Sequence, residues 1–214
     1  MNNILPDNPS ARYPVGQGAT SQGMPTQTPN RASIGRNLAH GDAQAGDPAP
    51  TLIALGAKVK LASSKGSRTM PLEEFYTGFF ENAMSDEELM VEVQVPPVAP
   101  RTATAYTKFT LIESDQGIVG VASTVTAGEN GACQEARIVL GNAGVIPIRA
   151  KNAEQVLRGK KLGDKLLEEA GEAAAGEAEP VSDIHASEEY RRHLINVLTK
   201  RMVKQAWEQA ARLK

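Results

Sequence analysis

The stretch Asn30–Asp42, which reads NRASIGRNLAHGD, decides how the rest of the chain is interpreted. Four small or turn-forming residues lie close together in it: Ser33, Gly35, Asn37 and Gly41. Such a run predicts a loop rather than a regular helix or strand, because glycine accepts a positive φ and lets a ligand approach closely. The residues alone leave two interpretations open, a ligand-binding loop and an ordinary surface turn before a helix.

The residues that follow carry the signals of a helix start. Asp42 and Asp47 are suitable N-cap residues, and Pro48 suits a first helical turn ahead of the apolar run Leu52–Leu55. A polar loop that leads into a helix N-terminus is suited to an anion, because the first backbone N–H groups of a helix have no intrahelical partner. The local pattern therefore allows an anion site here.

Length and composition limit the functional class. The chain has 214 residues, enough for one large or two small domains with their own cores. A net charge of −2 and an aromatic content of 4% argue against binding to nucleic acid or to an acidic membrane surface. The apolar runs are short, so no membrane span and no secretory signal are expected.

The one cysteine and the three histidines exclude several kinds of site. Cys133 alone cannot build a disulfide framework, a zinc ribbon or an iron–sulfur cluster within this chain, and it fits a cytoplasmic protein. His40, His185 and His193 lack metal-ligand spacing, so no metal site and no catalytic residue set are predicted. Cys133 is interpreted as a packing residue.

Shifts in composition predict three segments. Residues 1–29 contain five prolines among polar residues, which predicts a disordered leader. The pattern of residues 48–95 predicts a compact α/β unit with a short helix and alternating strands. The proline-rich stretch 96–100 predicts a linker. Residues 101–214 predict an antiparallel sheet covered by helices, so the fold class is α+β.

The last segment carries the clearest periodic patterns. Strands are expected over Ala105–Ile112, Gly117–Ala127 and Cys133–Leu140, with a hairpin turn at Glu129–Gly131. A final helix is expected from Ser187, with Arg191 and Arg192 toward solvent. Its core-facing residues are predicted to be Tyr190, Leu194, Val197, Leu198 and Met202.

The opening stretch resembles the flavin-binding subunit of molybdenum hydroxylases, the family of xanthine dehydrogenase and aerobic carbon monoxide dehydrogenase. SIGRN at Ser33–Asn37 is similar to the T/S-I-G-G-N loop of that family, with Arg36 in place of the second glycine. Three further strings support the resemblance: YTK at Tyr106–Lys108, GNAGVIPIRA at Gly141–Ala150 and SDIHASEEYRRHL at Ser182–Leu194. The resemblance begins at Asn30, so the leader is expected to have no counterpart in the family.

The resemblance implies a fold and a cofactor. It implies the second half of a flavin-binding (PCMH-type) α/β domain over residues 30–98, then the C-terminal domain of these flavoproteins over 101–214. Flavin adenine dinucleotide (FAD) is the implied cofactor, and Lys108 would reach toward its ring, where a cation stabilises the negative charge of the reduced flavin. The alternative is a surface lysine on a strand. The other implied contacts are Ser33, Ile34, Gly35, Asn37 and Asp47.

The implied role is electron transfer within a three-subunit enzyme. A large subunit would carry molybdopterin cytosine dinucleotide and a small subunit the [2Fe–2S] clusters, and this chain would pass their electrons to an external acceptor. The first flavin subdomain of the family, with its A-G-G-x-S-L loop, has no recognisable counterpart here. The isolated chain is therefore expected to bind FAD weakly. Two alternatives stay open: an assembly module without flavin, and one product of a split gene.

Overall fold

The fold is described from a computed structural model that covers residues 33–42, 48–111 and 117–213. The predicted disordered leader over residues 1–29 and the predicted cofactor contact Asp47 lie outside these ranges. In the described residues, the chain forms two antiparallel sheets, a small hairpin and five α-helices.

Two short helices open the described part of the chain, α1 (Ile34–His40) and α2 (Pro48–Ala54). The Ser33 hydroxyl caps α1 by accepting a hydrogen bond from the Arg36 amide at 3.3 Å. Gly41 ends the helix with a left-handed φ of 71°. The prediction of a loop over this stretch is therefore wrong, because the serine and the glycine that suggested it are the two caps of a helix.

A three-stranded antiparallel sheet follows, in the order β2–β1–β5. Its strands are β1 (Lys58–Ser63), β2 (Gly66–Pro71) and β5 (Leu89–Gln94). The connection to β5 contains a 3₁₀ turn at Leu72–Glu74 and a hairpin that the sequence patterns did not predict. The strands of this hairpin are β3 (Tyr76–Gly78) and β4 (Glu81–Asn82).

The second half of the chain is a four-stranded antiparallel sheet covered by helices, as predicted. The strands pair in chain order: β6 (Thr102–Phe109), β7 (Val119–Ala127), β8 (Cys133–Gly141) and β9 (Ile148–Arg149). The covering helices are α3 (Lys151–Leu157), α4 (Asp164–Glu177) and α5 (Glu188–Arg212).

Strand β7 is buried on both faces of its sheet. Val119, Val121 and Val125 point to one face and pack in the hydrophobic cluster formed with α3, α4 and α5. Ala122 points to the other face, where it joins Val139 of β8 in a second cluster with α1, α2 and the first sheet. Because successive side chains of a strand point to opposite faces, one strand contributes to both cores.

The buried side of α5 includes the predicted residues Leu194, Leu198 and Met202, but it differs from the prediction at its start. Tyr190 is 42% exposed, whereas Arg191 is only 3% exposed and lies among the buried positions Leu194, Ile195 and Leu198. The stripe follows the spacing expected of a helix face, but it begins at an arginine. Hydrogen bonds to the Ile118 carbonyl oxygen and to the Asp183 carboxylate explain the exception, because a buried charge must be paired.

Ion pairs connect the two halves of the chain beside the shared core. The Arg149 guanidinium pairs with Glu154 of α3 at 2.8 Å and with Glu73 of the 3₁₀ turn at 3.2 Å. Lys151 also pairs with Glu73, at 3.1 Å. Burial raises the pKa of Glu73, but the hydrogen bonds from Lys151 and Arg149 outweigh it and leave the pKa below its ordinary value.

The stretch 96–100 is exposed, as expected of a linker. The two halves that it connects nevertheless share the buried cluster around Ala122 and Val139. The boundary between a unit at 30–98 and a domain at 101–214 therefore stays a prediction.

Replacing Gly141 by alanine should weaken the contact between the two halves. A Cβ atom there would fall 2.8 Å from Cγ of Pro50, whose ring lies in α2 and cannot rotate away. We expect the free energy of unfolding to fall by about 1–3 kcal/mol, the usual effect of overpacking. Chemical denaturation of the full chain measures it.

The matched control is Gly176→Ala in α4, where a Cβ atom would meet nothing within 4 Å. Its free energy of unfolding should stay the same or rise slightly, because alanine is the better helix former. Equal denaturation midpoints for the two variants would contradict the packing of α2 on β8 described above.

Candidate functional site

The first turn of α1 holds three of the predicted cofactor contacts. The hydroxyl of Ser33 is used in the helix cap, and Ile34 packs against the cluster shared by the two halves. Gly35 faces β5, where a Cβ atom would lie 3.8 Å from the carbonyl oxygen and 3.9 Å from Sδ of Met90. The turn is half-buried and rests on Met90.

Asn37 has the unsatisfied group of this helix. Its side-chain oxygen Oδ1 is buried and has no hydrogen-bond partner among the described residues. Buried polar atoms in native proteins are almost always paired, so an unpaired acceptor points to a donor that is supplied from elsewhere. The hydroxyl groups of FAD are donors of this kind, so the residue fits the cofactor that the resemblance implies.

Arg36 has an ordinary helical backbone, although it stands where the resembling motif has a glycine. It lies inside α1, its side chain is exposed, and it is absent from the described non-glycine residues with positive φ, which are Phe80, Arg101 and Asn142. The backbone at this position therefore does not require glycine. A helical φ is unstrained for an L-residue, so the arginine is tolerated.

Lys108 lies on β6 on the same face as Tyr106, since alternate residues of a strand share a face. A Cβ atom at Gly117 would fall 2.6 Å from Cδ of Lys108, and one at Gly120 would fall 3.3 Å from the Tyr106 hydroxyl. The two glycines thus leave room for the lysine and tyrosine side chains to lie across the backbone. Tyr106 also packs against the cluster that Ile34 contacts.

The structure therefore brings α1 and the Tyr106–Lys108 face of β6 to one hydrophobic cluster. Two residues that the sequence interpretation did not single out also belong to this region. Met90 lies beside Gly35, and Phe80 packs its ring 5.3 Å from that of His40 at the end of α1. The alternating strand pattern around Met90 was visible in the sequence, but only the pairing of β5 with β1 places it next to α1.

A pair of charged groups fixes the turn that precedes Met90. The Arg68 guanidinium donates to both carboxylate oxygens of Glu88, at 2.7 and 2.8 Å. This contact, with a further hydrogen bond from the Ser85 amide, lowers the pKa of Glu88 to about 2. The pair therefore stays ionised throughout the physiological range, and it connects β2 to the start of β5.

Among the residues that the structure describes, the remaining titratable groups show no arrangement suited to covalent chemistry. Cys133 is fully buried, and burial raises the pKa of its thiol to about 11. The described residues contain no group of three or more His, Cys, Asp or Glu side chains arranged to hold a metal ion.

Comparison with protein families assigns both halves of the chain. Residues 4–98 match the FAD binding domain in molybdopterin dehydrogenase. Residues 104–206 match the CO dehydrogenase flavoprotein C-terminal domain. The first match begins at residue 4, so the expectation that the likeness starts at Asn30 is wrong. In the described part of the chain, no helix is long and apolar enough to cross a membrane.

Individual relatives agree with the family matches. The chain is 36% identical over 184 residues to the 6-hydroxypseudooxynicotine dehydrogenase complex subunit alpha of Paenarthrobacter nicotinovorans, covering 86% of this chain and 62% of that protein. It is 30% identical over 202 residues to the carbon monoxide dehydrogenase medium chain of Hydrogenophaga pseudoflava, covering 94% and 69%. The chain thus spans less than two thirds of the length of the first of these relatives.

Solved structures show the same architecture. A chain of carbon monoxide dehydrogenase from Hydrogenophaga pseudoflava superposes with a TM-score of 0.91 at 30% identity, over 96% of this chain and 71% of the other. A chain of quinoline 2-oxidoreductase from Pseudomonas putida 86 superposes with a TM-score of 0.88 at 27% identity, over 97% and 72%.

Replacing Arg36 by glycine should lower the free energy of unfolding of the protein. The residue is exposed and helical, and glycine in a helix is about 1 kcal/mol less favourable than alanine. The control is Arg36→Ala, which removes the same side chain and keeps the helix propensity. Denaturation of both variants compares them, and a glycine variant more stable than the alanine variant would contradict the helical assignment.

The Cys133 thiol should be almost unreactive in the folded chain. A pKa of about 11 leaves little thiolate at pH 8, and the thiolate is the reactive form. We expect modification by a disulfide reagent to be at least about a hundredfold slower than in denaturant. Between pH 7 and 10 the rate should keep rising with pH, and a plateau near the ordinary thiol pKa would show that the site is open to water.

Proposed function

Since the chain belongs to the family of FAD-binding medium subunits of carbon monoxide and xanthine dehydrogenases, we propose that it holds FAD as the electron-transfer subunit of a molybdenum hydroxylase. The buried, unpaired Oδ1 of Asn37 carries the proposal. It lies on α1, in the segment that matches the FAD-binding family, and it offers an acceptor that no described residue uses.

The proposed contacts are divided between the two halves of the chain. Ser33, Ile34, Gly35 and Asn37 form one side, on α1, and Asp47 is proposed as a further contact. Lys108 of β6 forms the other side and is directed toward the flavin ring. The bound flavin supplies reversible two-electron storage. The positive charge of Lys108 favours negative charge on a neighbouring ring, which raises the reduction potential.

The proposed partners follow from the same family. A large subunit would hold molybdopterin cytosine dinucleotide, and a small subunit would hold the [2Fe–2S] clusters that deliver electrons to this chain. The single cysteine supports such a division, because this chain by itself cannot supply the four ligands of a cluster. The complex is proposed to act in the cytoplasm and to pass electrons to an external acceptor.

A second candidate function is that of an assembly module without bound flavin. Exposed apolar side chains favour contact with another protein, notably Leu89 and Val91, which are 70% and 55% exposed on the edge strand β5. The capping of α1 by Ser33 also occupies one of the groups assigned to the cofactor. A subunit that both docks and binds flavin would show the same exposed strand, so flavin content separates the two functions.

The test is to purify the chain together with the products of neighbouring genes and to measure bound flavin by its visible absorbance. We expect FAD in proportion to this chain. Asn37→Ala should weaken FAD binding by roughly three- to tenfold, since one hydrogen bond contributes about 0.5–1.5 kcal/mol. Titration of the flavin-depleted complex with FAD measures the change.

The matched control is Asn130→Ala, in the turn between β7 and β8, where the side chain accepts only a local hydrogen bond from the Ala132 amide. Its FAD affinity should equal that of the unaltered complex. Equal affinity in the Asn37 variant would remove the observation on which the proposal rests. A stable complex without any flavin would favour the assembly module.

A further inference from the structure

Three of the sequence motifs meet at one short piece of backbone, Gly117–Ile118, where the chain enters β7. They are the strings Tyr106–Lys108, Gly141–Ala150 and Ser182–Leu194. The motifs lie far apart along the chain, and each sends one side chain to this point. Two of the three contacts are hydrogen bonds from polar side chains, so hydrophobic packing alone does not explain the convergence.

Asn142 supplies the first of these contacts. Its side-chain amide donates hydrogen bonds to the carbonyl oxygen of Gly117 and, at 3.0 Å, to that of Ile118. Its backbone has a φ of 53°, a left-handed conformation that is uncommon outside glycine. Asparagine is one of the few residues with a side chain that accepts this conformation readily. The position therefore needs both the backbone freedom and the amide donor.

Arg191 supplies the second contact from the first turn of α5. Its Nη1 donates to the carbonyl oxygen of Ile118 at 2.6 Å, and its Nη2 pairs with the Asp183 carboxylate. Asp183 is fixed in turn by the amides of His185 and Ala186, at 2.9 and 3.0 Å. Because Arg191 is only 3% exposed, its charge depends on these acceptors.

The same backbone closes the base of the β6–β7 connection. The Ile118 amide donates a hydrogen bond to the carbonyl oxygen of Phe109 at 2.8 Å. The centroid of the Phe109 ring lies 6.3 Å from that of the Tyr190 ring on α5. Ile118 thus uses its N–H toward β6 and its carbonyl oxygen toward Asn142 and Arg191. All the hydrogen-bonding capacity of this residue serves to hold one position.

The motif Tyr106–Lys108 supplies the remaining contact, because the Lys108 side chain lies directly over Gly117. A Cβ atom at Gly117 would fall 2.6 Å from Cδ and 2.7 Å from Cγ of Lys108, far inside van der Waals contact. The aliphatic part of Lys108 therefore follows the surface of the Gly117 backbone. Any displacement of that backbone changes the course of the lysine side chain.

We propose that Asn142 and Arg191 are positioning residues for Lys108, and that they act by holding the Gly117–Ile118 backbone on which the lysine side chain lies. The inference rests on the proposed function in one respect, the direction of Lys108 toward the flavin ring. It gives the three motifs one shared role: one supplies the cation and the other two hold the surface that directs it.

The experiment is a double-mutant cycle in the flavin-containing complex, with the midpoint potential of the flavin as the readout. Lys108→Met should lower the potential, because it removes a positive charge near the ring. Asn142→Gly keeps the left-handed backbone and removes both hydrogen bonds, and it should lower the potential in the same direction. In the Lys108→Met background, Asn142→Gly should cause no further shift.

Two further variants make the test specific. Gly117→Ala places a methyl group against the aliphatic part of Lys108. It should reproduce the shift in potential of Asn142→Gly, and it serves as the test where the Asn142 variant folds poorly. Asn130→Gly makes the same change of residue in the turn between β7 and β8, at the opposite end of the sheet, and should leave the potential unchanged. Equal shifts by Asn142→Gly with and without Lys108 would overturn the proposal, as would an unchanged potential in both Asn142→Gly and Gly117→Ala.

A flavin-free measurement separates this inference from the proposed function. Lysines of the full chain are labelled by reductive ¹³C-methylation, and the Lys108 resonance is assigned by its loss in Lys108→Met. Asn142→Gly and Gly117→Ala should each shift or broaden that resonance, whereas Asn130→Gly should not. An unmoved Lys108 resonance overturns the inference. A moved resonance in a chain that never binds FAD supports the positioning role and rejects only the flavin assignment.

Discussion

The architecture depends on one strand that is buried on both of its faces. β7 lies in the interior of the four-stranded sheet, with valines toward α5 and with Ala122 toward α2. Burial on both faces removes the usual distinction between a core side and a solvent side. Small residues on the second face let α2 approach, and Gly141 on β8 continues that face against Pro50. The two halves of the chain are therefore parts of one packed structure at this sheet.

This shared packing determines the relation between the two sides of the proposed cofactor site. α1 belongs to the first half and Lys108 to the second; Ile34 of α1 and Tyr106, which shares its strand face with Lys108, pack against the same hydrophobic cluster. If the halves moved independently, the separation between an acceptor on α1 and a cation on β6 would vary. Packing through Ala122 and Val139, with the Arg149–Glu73 ion pair at its side, limits that movement. The shared core thus fixes the separation between the acceptor on α1 and the Lys108 cation on β6.

Family membership gives these observations a chemical context. The relatives of this chain are subunits of dehydrogenases that act on unlike compounds, among them carbon monoxide dehydrogenase and a nicotine 6-hydroxylase. The electron-transfer role proposed for this chain does not involve the substrate, so it is compatible with relatives of such different enzymes. That role would need cofactor binding and a defined electrostatic environment at the flavin ring. Asn37 and Lys108 are the residues proposed for it.

The sequence by itself determined the class of the fold, the order of most elements and the family. Periodicity located β6, β7, β8 and α5, because local hydrophobic alternation reflects which face of an element is buried. The turn signal at Glu129–Gly131 located the hairpin between β7 and β8. It also identified three motifs without indicating that they meet. Only the tertiary structure decided that the Ser33–Gly41 stretch is a capped helix, that Arg191 is buried, and that Gly117 carries the Lys108 side chain. The physical reason is that capping, pairing of a buried charge and close approach to a glycine depend on partners distant in sequence or on exact backbone angles, which a local pattern of residue types does not contain.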